Sequence, residues 1–309
     1  MLKKIRSSWT LIKDSISVFD KHPKFLVPLL ITWAIYAPVI LYYVYDYGLN
    51  KHSFLQNVLV AFVIIFIFAS ILTLSCSLLL ELIQQLESGR KTDLRGAFKV
   101  TFKQNIVDII PLVFVWAVIW WLISVVQAFF TRKNQYEGDK TLTAENAAKT
   151  LAGYDENFNL SKAFFEALRK GVRMIMFLIL PAIAWENKKF GDAVSKGMAV
   201  FKTNIVHFVS GFVLLEGIDI LIFFPAGILF GLADGMEIFS SDTVWVIAIF
   251  YIAFAWSYSI YLEQMFAAEL YLWNLKWEKQ VAKAKNEGLP VPNLSEIPKP
   301  SLLDEIHEF

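Results

Sequence analysis

Carboxylates inside an apolar run carry the strongest chemical signal in this chain. A charge at the centre of a bilayer costs roughly 2.5–3.5 kcal/mol on insertion scales. Glu216 and Asp219 stand in such a run, 12 and 15 residues past Asn204, or about 18–22 Å along a helix. Their i, i+3 spacing puts both on one face, where two close carboxylates in low dielectric share a proton. Two roles fit: a proton or cation relay (or polar ligand site) within the bundle, and interhelical hydrogen bonding to Gln127, Ser257, Tyr258 or Ser259. A second set of acids, Glu81, Glu186, Glu263 and Glu269, is expected at the cytoplasmic ends of inward-running helices. There they would bridge to basic helices lying on the membrane surface, with substrate contact as the alternative. His22, Asn105 and Asn204 form a third set, placed where a surface helix bends into a span and backbone groups are freed for side-chain hydrogen bonds.

The patterns of soluble catalysis are missing. His22, His52, His207 and His307 are scattered, with no His-x-x-x-His or His-Glu-x-x-His spacing for zinc. There is no Gly-x-Ser-x-Gly elbow and no Gly-Lys-Ser/Thr phosphate loop. The lone cysteine, Cys76, excludes an internal disulfide framework and a cysteine-rich metal site; mid-span, it reads as a small packing residue. No enzyme activity, cofactor or metal is expected. A net charge of +1 leaves no global basic field for nucleic acid. Gly227, Gly231 and Gly235 permit close helix approach, and Trp116, Trp120 and Trp121 read as lipid-facing or interfacial packing.

The elements that must position these residues follow from composition. Of 309 residues 56% are hydrophobic and 18% charged, with mean hydropathy +0.50, against about 45–50% and about 25% in soluble domains. Crossing a hydrocarbon core takes roughly 20 apolar residues. Six stretches qualify, at about 25–45, 55–80, 105–130, 171–185, 205–233 and 243–263. The fourth is short unless the amphipathic 161–170 segment extends it as one helix. The runs are continuous rather than alternating, which selects helices over a barrel. Met1–Lys24 lacks the apolar core of a cleavable signal. With the N-terminus inside, 20 of the 29 Lys and Arg fall on cytoplasmic segments, so both termini are expected in the cytoplasm of an inner-membrane protein.

An internal repeat refines this picture. Residues 93–107 lie over residues 192–206 without a gap, at a constant offset of 99. Asp93 falls on Asp192, Phe102-Lys103 on Phe201-Lys202, and Asn105-Ile106-Val107 on Asn204-Ile205-Val206. Val18 to His22 is a fainter third copy. Each reads as a basic amphipathic helix in the interface feeding an outward span. The expected fold is therefore all-α, with six transmembrane helices as three hairpins, each led by an in-plane helix facing anionic head groups. Residues 1–275 form one transmembrane domain. An external loop at 131–160 contains one or two helical turns around Glu145–Leu151. Residues 276–309 read as a cytoplasmic tail with a proline-rich linker (289–300). Its end, 301–309, is either solvated or a docking segment for another membrane or cytosolic protein.

Further motifs carry a family resemblance. Residues 177–186 end a span in a proline and an acid. Phe190-Gly191-Asp192-Ala193-Val194-Ser195-Lys196-Gly197 then begins a helix, and Thr92–Phe98 and Ser7–Asp14 match other parts of the same pattern. This resembles an uncharacterised family of six-span bacterial and archaeal integral membrane proteins. More loosely, it is similar to the membrane domains found beside glycerophosphodiester phosphodiesterases, whose catalytic domain has no counterpart here. The resemblance implies an architecture and no activity. The expected function is that of a non-catalytic accessory, scaffold or bilayer-organising subunit. The alternatives are a small transporter using Glu216 and Asp219, and an intramembrane lipid enzyme.

Overall fold

A computed structural model describes residues 2–47, 52–131, 142–153, 160–233 and 241–298. These residues are all-helical, without strands. The helices are α1 (Leu2–Lys21), α2 (Val27–Leu41), α3 (Phe54–Glu87), α4 (Leu94–Val100), α5 (Ile106–Thr131), α6 (Ala144–Ala152), α7 (Leu160–Ala184), α8 (Phe190–Thr203), α9 (Ile205–Ala233) and α10 (Asp242–Glu287). Five helical stretches are long and apolar enough to cross a membrane: Pro23–Asp46, Phe54–Leu86, Ile106–Ala128, Ile205–Leu232 and Asp242–Glu287. The fourth expected span is the helix left out. The 161–170 segment does join it as one 25-residue helix, α7, but that segment carries Lys162, Glu166, Arg169 and Lys170, with Arg173 just beyond.

Local sequence sets the helix ends. Ser53 and Gln56 form a reciprocal capping box that starts α3. Asp93 accepts the Arg95 and Gly96 amides at the head of α4. Between α7 and α8 the chain reverses through Asn187 at φ 51°, the left-handed position that asparagine tolerates. The Lys188 amide reaches back to the Ala182 carbonyl at 3.0 Å. That tight turn folds α8 against α7.

Two helices make the centre. Every residue of α10 from Ser259 to Asn274 is buried, so this stretch is enclosed on all sides. It packs against α1, α2, α7 and α9. α7 runs beside it, packed also on α3, α5 and α8, and buries Met174, Phe177, Leu178 and Ile179. The outer faces of α3, α5 and α9 expose Leu59, Val63, Ile110, Phe114, Ile220, Leu221 and Phe224 instead. Between α5 and α7, α6 folds onto α2 and α10 with Ala147 and Ala148 buried. The Tyr45 hydroxyl donates to the Asn146 carbonyl there, at 2.9 Å.

Three expectations need correction. Trp116 does not face lipid: it is 1% exposed, stacked on Trp120 and edge-on to Phe177, because α5 turns this face to α7. The last apolar helix does not end near residue 263 but continues to Glu287, 46 residues or about 69 Å. Finally, the proline-rich segment is not an extended linker. Trp277 Nε1 donates to the Pro292 carbonyl at 2.9 Å and Trp273 Nε1 to that of Ile297 at 3.2 Å, folding 289–298 back along α10. Residues 299–309, including the expected docking segment, lie outside the described residues, as do Asp234, Gly235 and Glu237.

α8 meets α7 where neither has room to spare. A Cβ added at Gly197 would fall 2.6 Å from Ile179 Cγ1 and 2.9 Å from its Cα, so backbone as well as side chain blocks it. Gly197→Ala should lower stability by about 1–3 kcal/mol through overpacking. Gly191→Ala in the same helix meets nothing within 4 Å and should be neutral or stabilising. Thermal unfolding of both variants in detergent checks the contrast.

Candidate functional site

α7 brings three cations into the bundle. Arg169 and Arg173 share a face at i, i+4, with Lys170 beside them. Arg169 Nη1 donates to Gln127 Oε1 on α5 at 2.6 Å. Lys170 Nζ, its side chain 10% exposed, donates to Asp219 Oδ2 and lies 3.0 Å from Glu216 Oε1 and 3.4 Å from Glu263 Oε1. An ammonium carries three protons, and three carboxylates receive it here. Arg173 closes a two-pronged fork on Glu263, Nε to Oε2 at 2.8 Å and Nη2 to Oε1 at 2.7 Å. Bidentate geometry of this kind is the strongest the two groups can make.

This clasp joins α7, α9 and α10, and burial within it is uneven. Glu263 is 0% exposed, Asp219 and Arg173 16%, and Glu216 41%. Two cations therefore face three carboxylates, and the surplus acid lies at the open edge. Lys170 also sits over the Phe212 ring, 5.8 Å from its centroid.

Glu216 and Asp219 do share one face, since both reach Lys170. Their main partner was not among the neutral residues expected. Gln127 serves Arg169, Tyr258 stacks on Phe254, and Ser259 of that set lies against Asp219. Lys170 falls one residue before the apolar stretch that starts at 171, so hydropathy alone does not place it in the bundle. The available signal was the 169/173 spacing on an extended helix, together with the rule that buried carboxylates need cations.

Glu263 does not lie at the helix end where it was expected. Asn274 Oδ1 accepts from Asn204 Nδ2 at 3.1 Å, so the foot of α9 is level with Asn274, 11 residues beyond Glu263. Glu263 sits midway along the bundle and meets α7 rather than a surface helix. Glu269 accepts from the Ser15 hydroxyl of α1 at 3.0 Å. Glu186 accepts from the Tyr271 hydroxyl and pairs with Lys188 at 3.1 Å, while Glu81 accepts from Gln85 at 3.3 Å. An ion pair that does tie a basic helix to the bundle joins Lys196 of α8 to Glu278, an acid in the supposed tail.

The corner residues occupy three different bends. Asn204 breaks the chain between α8 and α9 at φ −114°, and its amide donates to the Val200 carbonyl at 2.9 Å. Asn105, 3% exposed, closes a π-helical turn (Thr101–Asn105) that carries α4 into α5 without a break. His22 precedes a 3-10 turn (Pro23–Leu26), makes no side-chain cap, and stacks on Phe25 at 5.5 Å. Burial, then Lys24 and Lys21, lower its pKa from the ordinary value. Cys76 is fully buried.

No family model, curated protein or solved structure matches this chain.

Removing one member of a buried pair strands the other. Arg173→Met should destabilise by about 3–5 kcal/mol, and Arg173→Met with Glu263→Met should recover most of that loss. Denaturant unfolding of the two single variants and the double variant in detergent measures the coupling.

Proposed function

We propose that the chain is a six-crossing integral protein of the cytoplasmic membrane, acting as a non-catalytic accessory or bilayer-organising subunit. Both termini lie in the cytoplasm, and α7 supplies the sixth crossing. The hairpins are α2–α3, α5–α7 and α9–α10, each led by a basic amphipathic helix. The observation that carries this reading is the clasp: Lys170 and Arg173 are spent on Asp219 and Glu263, so their chemistry goes into holding helices together. Paired in this way, Lys170 and Arg173 can lie within hydrocarbon. The architecture also fits the resemblance to six-span prokaryotic membrane proteins.

A transporter is the second reading, favoured by one observation. Glu216 carries the surplus negative charge at the open edge of the clasp, where a proton or cation would be accepted. Proton flux into vesicles that vanishes in Glu216→Gln would support it. Absence of flux, or flux indifferent to Glu216 and Asp219, would remove it.

The topology has its own test. Single cysteines at Lys99, Lys202 and Lys279 in a Cys76→Ala background should react with an impermeant maleimide only from the cytoplasmic side. A cysteine at Lys149 in α6 should react only from the other. Labelling of Lys149 from the cytoplasmic side would contradict the six-crossing arrangement.

A further inference from the structure

The three basic amphipathic helices do not share a fate. α1 buries Leu11, Ile12 and Val18 against α9 and α10, and its Ser8 and Ser15 hydroxyls bond the His207 carbonyl and Glu269. α8 buries Ala193, Gly197 and Val200 against α7, and its Lys196 is paired. α1 leaves Trp9 exposed, but among the described residues α4 keeps the most open apolar face. Ala97 is its one buried residue, while Leu94, Phe98 and Phe102 are 38%, 51% and 37% exposed. Phe98 and Phe102 stack at 4.2 Å. Arg95, Lys99 and Lys103 are exposed beside them, and no ion pair among the described residues engages them.

That face continues a larger one. Leu94, Phe98 and Phe102 step by four residues, and the next exposed apolar residues, Val107, Ile110 and Phe114, lie on the outer face of α5. The step from Phe102 to Val107 is five. It falls across the π-helical turn Thr101–Asn105, which inserts one extra residue into the helix. With an α-helical turn there, the stripe would drift off line. With the π turn, one apolar band runs from α4 into the side of α5 that faces outward.

We propose that α4 is an interfacial wedge seated in an anionic lipid leaflet. Phe98 and Phe102 enter the acyl region in continuation of the lipid-facing side of α5. Arg95, Lys99 and Lys103 contact head-group phosphates. The occupant follows from both parts of the surface: an apolar band continuous with a membrane span requires acyl chains, and three exposed cations on its flank, unpaired among the described residues, require anionic head groups. α1 and α8 secure the bundle, and α4 recognises the leaflet. The wedge rests on the membrane-crossing reading of α5.

The test uses the full-length chain with Cys76→Ala, reconstituted in vesicles and carrying an environment-sensitive dye on Leu94→Cys or, separately, on Phe114→Cys. In phosphatidylglycerol–phosphatidylethanolamine vesicles the dye at 94 should emit blue-shifted and be quenched by nitroxide lipids. Pure phosphatidylcholine, or Arg95→Gln with Lys99→Gln and Lys103→Gln, should reduce that quenching by about twofold or more. The dye at 114 should be quenched in every case. A dye at 94 that stays in water while 114 is quenched overturns the wedge and leaves the crossing standing. Equal quenching at 94 in all lipids and in the neutralised variant overturns recognition of anionic head groups. A dye at 114 in water overturns the crossing and the wedge together.

Discussion

Lys170 is the point on which the arrangement of the long helices turns. An ammonium among apolar helices is tolerated only where carboxylates surround it, and α9 and α10 supply three. Arg173, one turn along the same helix, takes both oxygens of Glu263. These bonds fix the rotation of α7 about its axis and its height against its neighbours. Its Met174 and Phe177–Ile179 then face the core, and its C-terminal end meets the Trp185–Tyr271 contact. A helix too polar to insert on hydropathy alone becomes part of the bundle because its charges have partners waiting.

The same fixed height sets the rest. With Glu263 level with Asp219, Asn274 comes level with the α8–α9 bend, where Asn204 binds it. α8 is then held to the lower part of α10 by Lys196 and Glu278, and the Trp273 and Trp277 indoles are placed to receive the returning 289–298 segment. Placing charge, amide and indole contacts in successive layers down one helix gives α10 a defined register against each neighbour. Apolar packing alone specifies register less sharply, because one aliphatic side chain substitutes for another at little cost.

What was legible in the sequence was the part written in local pattern. Continuous apolar runs marked the long helices, and the Asp–Phe-Lys–Asn-Ile-Val repeat marked α4 and α8 with the bends that follow them. The Glu216/Asp219 spacing marked one wall of the site. What stayed hidden depended on which helix faces which. Lys170 falls outside the apolar run because the charges at 162–173 break it, and only partners on α9 and α10 explain Lys170 and Arg173. Glu263 looked terminal because hydropathy falls after residue 263, although burial continues to Asn274. Glu278 and Trp277 look like tail in the sequence because a helix beyond its apolar stretch carries no sign of what will fold against it. The repeat, with its fainter third copy at 18–22, presents α1, α4 and α8 alike as surface helices, whereas burial separates α1 and α8 from α4 through contacts no periodicity encodes.

The central claim is that paired charges, dry and interhelical, hold α7 inside the bundle. Solid-state NMR of the isotope-labelled protein in lipid vesicles tests it by reading the dipolar coupling between the Arg173 guanidinium nitrogens and the Glu263 carboxyl carbon. The expected result is a strong coupling with no transfer from water protons to either group. A missing coupling, with both groups in exchange with water, would contradict it and put α7 outside the bundle.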